Sequence, residues 1–221
     1  MKRLQPVIWS KGTFLAPQHL QIQDRFIEGT LEFTLDALNY RPWGLGRLGV
    51  NQEALAGGVF AITSAAGLLP DGLPFDIPDS DPAPPPKPLD QCFEPDQTSL
   101  DVYLAIPHYR ERGLNVSVSR QAADTRYVAE VAVVRDENTG ASERPIQVAQ
   151  KNFRLLAEGD SRQGMAALRV ARVLKTEAGT LQLDPHFIPP LLDIAASDYL
   201  IAISRRLVEI LSAKSTLLAG L

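Results

Sequence analysis

The spacing of apolar side chains changes character along the chain. Between residues 17 and 40, Leu20, Ile27, Leu31, Leu35 and Leu38 recur at helical intervals and line up one apolar stripe. Pro17 suits the first helical position, where no backbone N–H is needed. Arg41-Pro42-Trp43-Gly44 stops the helix, and Gly29 weakens its middle by about 1 kcal/mol relative to alanine. From Leu45 the period drops to two. Residues 100–106 and 115–119 alternate, and 127–134, 146–155 and 166–174 are further strand-like runs. Turn-forming clusters at 112–113, 136–140 and 158–164 separate them. Successive short strands without intervening helices predict a mainly β fold, an antiparallel β-sandwich or barrel and not a parallel α/β sheet.

Two stretches interrupt that rhythm. Nine of the 17 prolines fall between residues 70 and 95. Proline donates no ladder hydrogen bond, so a central strand is excluded there, and a polyproline-II excursion on the surface is expected. Beyond Pro185, Pro189 and Pro190 a second helix should begin between Asp193 and Ser197. Leu200, Ile203, Leu207, Ile210, Leu217 and Leu221 then follow steps of three and four, with Lys214 in the same series, as a heptad seam. Leu211, Ala213 and Leu218 make the face wider than a two-stranded coiled coil needs. The helix therefore reads as one member of a bundle, formed within the whole protein or between copies.

Composition narrows the class. A net charge of −4 argues against a nucleic-acid binder, which needs a basic face. Cys92 is the only cysteine, which excludes an internal disulfide and a thiolate-rich metal site. Residues 1–6 lack the apolar core of a secretory signal. The best apolar run, 191–203, is broken by Asp193 and Asp198 and falls short of the ~20 residues that cross a bilayer. A cytoplasmic location without membrane insertion is expected.

Candidate chemistry is sparse. Gly44-Leu45-Gly46-Arg47-Leu48-Gly49 matches the dinucleotide pattern G-x-G-x-x-G, yet that loop works only between a strand and a helix N-terminus. Here it follows Arg41-Pro42-Trp43 and leads into a strand-like stretch. His19, His108 and His186 lack ligand spacing and suit capping or half-buried roles. Cys92 has no evident activating partner, and Asp79 and Asp81 should solvate the proline-rich segment. Neither an enzyme, a cofactor nor a metal is expected.

The opening of the chain is more specific. Trp9, Gly12, Phe14-Leu15 and Pro17-Gln18-His19 form a pattern, continued by Gln21, Asp24 and Arg25, that resembles the TssK-type baseplate subunits of bacterial type VI secretion systems. Pro42-Trp43-Gly44, Leu69-Pro70-Asp71-Gly72 with Phe75, and Leu183-Asp184-Pro185-His186-Phe187-Ile188-Pro189-Pro190 extend the resemblance in the same order. Leu20 departs from it, standing where an aromatic is common. The resemblance implies a trimeric, non-enzymatic assembly protein. Its N-terminal shoulder, similar to that of phage receptor-binding proteins, docks on a TssF/TssG wedge. A helical neck and a C-terminal head that contacts the membrane complex follow. On this reading residues 1–16 are an arm and 17–190 the shoulder, including the 17–40 helix and the 70–95 excursion. Residues 191–221 begin the neck, and the head is absent.

Trp9, Phe14, Pro17, Gln18 and His19 are the candidate wedge-facing residues, unless the aromatics anchor the arm on its own sandwich. The alternative function is a stand-alone ligand-binding sandwich for carbohydrate or a phage-type receptor. It would display an aromatic platform built from Trp43, Tyr103 or Tyr127.

Overall fold

The structure, a computed structural model, describes residues 5–118 and 124–219. Residues 1–42 form one compact unit and residues 43–221 another. In the first, an extended arm turns at Ser10–Thr13, where Thr13 N–H donates to Ser10 O at 3.1 Å, and then enters helix α1 (Pro17–Leu38). Pro17 takes the N-terminal position. The ring of His19 accepts from the Ala16 N–H at 3.1 Å and so satisfies a backbone donor that the helix itself leaves free. No residue of α1 is buried.

The second unit holds the sheets. Strands β1 (Gly44–Val50), β3 (Ile62–Leu68) and β4 (Pro74–Ile77) form a three-stranded antiparallel sheet with β3 in the centre. A four-stranded antiparallel sheet has the order β10 (Arg154–Ala157), β6 (Ser99–Pro107), β11 (Met165–Lys175), β12 (Leu181–Leu183). Alternation on β6 sends Leu100, Val102, Leu104 and Ile106 into one core, which they share with Leu45, Ile62, Phe75 and Ile77 of the other sheet. This is the expected sandwich. Short helix α2 (Gln52–Ala56) is capped by Asn51, whose side chain accepts from Ala54 N–H at 3.0 Å, and it buries Leu55 in the same core.

The proline-rich segment differs from expectation. It is no surface excursion: it supplies β4 and β5 (Lys87–Pro88), and β5 pairs with β2 (Val59–Phe60). Phe75, Ile77 and Leu89 from it are buried. The prolines sit where a ladder tolerates them, at the start of an edge strand and in the connections, and Ile77–Pro78 is cis. Asp81, expected to solvate this segment, is instead buried. It accepts from Asp76 N–H at 2.9 Å and pairs with Lys151 Nζ at 2.9 Å.

The run 146–155 is also two elements, not one strand. Strands β8 (Tyr127–Arg135) and β9 (Glu143–Lys151) form a long antiparallel ribbon, with β7 (Val116–Ser117) parallel to the start of β8. The chain then leaves the ribbon at Asn152, whose amide donates to Thr125 O at 2.8 Å, and buries Phe153 before β10. A single 3-10 turn (Ile194–Ala196) precedes helix α3 (Asp198–Ala219).

Candidate assembly interface

The arm residues singled out in the sequence lie in the first unit and are largely exposed. Phe14 is 91% and Trp9 56% accessible, and the Trp9 and His19 rings stand 6.2 Å apart in a tilted pair. Pro17 and His19 are committed to the helix start, and Gln18 is exposed on its first turn. The apolar stripe of α1 is open as well, from Leu20 to Leu38.

The heptad series lies on α3, and most of it is exposed. Leu200 is half-buried at the base, and Ile203, Leu207, Ile210 and Leu217 are exposed beyond it. Leu221 lies outside the described residues. Helix α3 has 22 residues, carries this apolar stripe and buries none of them.

Sequence reasoning missed a third open surface. On the β8–β9 ribbon, Val131 and Val133 are exposed on one face and Val134, Ile146 and Val148 on the other. The alternation was visible, but a period of two cannot tell a ribbon bare on both sides from a strand with one side buried.

It also missed a polar cluster outside the core. Asp101 on β6 is buried and receives Arg169 Nη1 at 2.9 Å and Arg172 Nε at 2.8 Å from β11. On a regular strand residues three apart face opposite sides. Here the register slips between Arg169 and Ala171, so both guanidiniums reach the same side as Asp101. Burial works against the charged carboxylate, and the hydrogen bonds from Arg172 and Arg169 overcome it, holding the group below the usual carboxylate range. Both guanidinium carbons lie over the ring of Phe187, at 4.8 and 5.5 Å.

The remaining candidates are structural. Gly44 to Gly49 lie within β1, paired with β3, and so form an extended strand and not a loop leading into a helix N-terminus. Leu69-Pro70-Asp71-Gly72 is the turn between β3 and β4, with Gly72 at φ +79°. Asp71 there pairs with the buried Arg126 at 2.7 Å. His108 stands 3.8 Å from that same Asp71, and His186 stands 3.8 Å from Asp184. Among the described residues no group of three or more acidic, His or Cys side chains is arranged to hold a metal. Cys92 packs against the core and donates to Pro88 O at 3.5 Å. The aromatic platform a ligand-binding sandwich would display is missing from the described surface. Trp43 packs on the core, Arg162 covers Tyr103 at 4.4 Å, and Arg126 lies 5.9 Å from Tyr127.

The fold has counterparts among known proteins. The family model described as Bacterial Type VI secretion, VC_A0110, EvfL, ImpJ, VasE matches residues 19–220. The chain belongs to this family. It is 38% identical over 218 residues to the type VI secretion system baseplate component TssK1 of Pseudomonas aeruginosa, covering 97% of this chain and 48% of that protein. A crystal structure of TssK superposes with a TM-score of 0.85 at 30% identity, over 98% of this chain and 49% of that one. A chain of a cryo-electron microscopy structure of the type VI secretion system TssK-TssF-TssG baseplate subcomplex gives 0.89 at 25% identity, over 99% of this chain and 72% of that one. The chain thus spans about half the length of TssK1 and of the crystallised TssK. No described helix is long and apolar enough to cross a membrane.

Proposed function

We propose that this chain is the wedge-facing part of a type VI secretion baseplate subunit, with a structural and not a catalytic role. The observation that carries the reading is the 38% identity to a baseplate component across 97% of the chain. The molecule itself fits it. Its uncommitted features are apolar and exposed: the arm, the stripe of α1 and the seam of α3. Its charged clusters are occupied with holding strands together.

In this reading the sandwich docks on TssF/TssG-type partners, and Trp9, Phe14, Pro17, Gln18 and His19 form part of that contact. Leu200, Ile203, Leu207, Ile210 and Leu217 pack in a helical neck, within a homotrimer of the full protein. Contacts to the membrane complex are not assigned to residues 1–221. The location is cytoplasmic, at the inner face of the envelope.

Co-purification of the full protein with the TssF and TssG of the same organism tests this. Capture is expected, and replacing both Trp9 and Phe14 with alanine should weaken it on the order of tenfold or more, as truncating anchoring aromatics costs ~2 kcal/mol. The melting curve should not change. Undiminished capture by the double variant removes the arm from the interface. Failure of the unaltered protein to capture either partner removes the wedge assignment itself.

A further inference from the structure

Two stretches that lie far apart in sequence, Gly44-Leu45 and Pro190 to Leu192, meet in the structure just before α3. Leu45 N–H donates to Pro190 O at 2.8 Å, and Leu192 N–H donates back to Leu45 O at 2.9 Å, so the segment after Pro190 is stitched to the free edge of β1. The fit leaves no room for a side chain. Gly44 has φ +146°, and a Cβ there would lie 2.7 Å from the Pro190 carbonyl. Six residues before Pro190, Asp184 N–H donates to Arg172 O at 2.8 Å. Between these ties Phe187 lies beneath the Arg169 and Arg172 guanidiniums that buried Asp101 holds in place. Its neighbour His186 meets the Tyr199 ring of the first turn of α3 edge-on, with centroids 5.2 Å apart and an interplanar angle of 88°.

We propose that residues 184–192 form a two-point strap that fixes the direction in which α3 leaves the sheets, with Phe187 as its positioning residue. One attachment would leave the helix free to swivel. Here one anchor is on β1 of the three-stranded sheet and the other on β11 of the four-stranded sheet, and a body pinned to two separate strands cannot rotate about either alone. The His186–Tyr199 contact carries the constraint into the helix. Sheets and helix then move together, and a displacement of β1 or β11 by a bound partner reaches α3 without loss. The strap does not depend on what covers the α3 seam.

The test reads the angle directly. In the full protein with Cys92 and any cysteine outside residues 1–221 replaced by serine, spin labels are placed on exposed Thr63 of β3 and exposed Ser212 of α3. Labelled protein is diluted with unlabelled copies, so that only distances within one chain are measured. The unaltered strap is expected to give one narrow distance distribution. Phe187→Leu keeps apolar bulk but removes the ring face beneath the guanidiniums, and should lose the narrow peak to a broad distribution; Phe187→Tyr should restore it. Tyr199→Ala, on the helix and away from the core, should broaden it too, and it decides the matter if the leucine variant does not fold. A narrow distribution in every folded variant overturns the proposal. So does a broad one in the unaltered protein.

Discussion

At the residue scale the fold depends on a few charges placed where charge is costly. Asp101 is the clearest, because its carboxylate is buried and answered by two guanidiniums. Its folded-state pKa lies below the usual value, so the stability it adds is complete above the unfolded value and is lost as pH falls through the folded one. Replacing Asp101 with asparagine should therefore destabilise the protein by about 2 kcal/mol at neutral pH. The gap to the unaltered protein should narrow as pH falls below the unfolded carboxylate value of ~4 and close only below the lowered folded value, where both are uncharged at this site. Chemical denaturation at pH 7 and pH 3 checks both the size and the sign. Little of this was legible in advance. Pro17 and its helix start were readable, because a missing N–H is a local property. The Asp101 cluster depends on a register slip between strands 68 residues apart, and no local pattern announces that.

At the element scale, legibility followed how each strand is covered. β6 was plain because its large apolar residues alternate, and Leu100, Val102, Leu104 and Ile106 all enter the core. The proline-rich segment was misread because the prohibition on proline holds only for central strands, and β4 and β5 are both at sheet edges. The ribbon was read as ordinary strands, and its missing cover was invisible. A two-stranded ribbon without packing is weakly held. Amides near its tip, around Val133 to Arg144, should therefore exchange with solvent far faster than those of β6 and β11, by at least ~100-fold in the isolated protein. Hydrogen exchange read by mass spectrometry or NMR measures this. Equal protection in ribbon and sheet would mean that another surface covers the ribbon.

At the scale of the whole molecule, the core belongs to one unit. Among the described residues every buried member of the core lies between Leu45 and Leu181, and none belongs to the first unit. A fragment of residues 43–221 should therefore fold and melt cooperatively, within a few degrees of the full chain, in a calorimetric scan. A collapse of the transition would show that residues 1–42 shield part of that core. The surfaces with assembly potential are distributed differently. Both long helices, one in each unit, carry apolar stripes and bury none of their residues. Membership in the family was readable from blocks spread along the whole chain. Which of its surfaces meets which neighbour was not, since an exposed stripe specifies the kind of partner and not its identity.

The slip at Val170 has one more consequence, for tolerance to changes in length. Removing an internal residue from a strand normally reverses the facing of everything on one side of the cut. At β11 the extra residue is already present: Arg169 stands opposite Tyr103, Ala171 opposite Val102, and Val170 has no opposite number. Excising Val170 would cost its buried side chain, yet Arg169 and Arg172 would keep their side of the sheet and Val173 its own. This is the one place along β11 where the chain can be shortened without changing its reading frame of inside and outside.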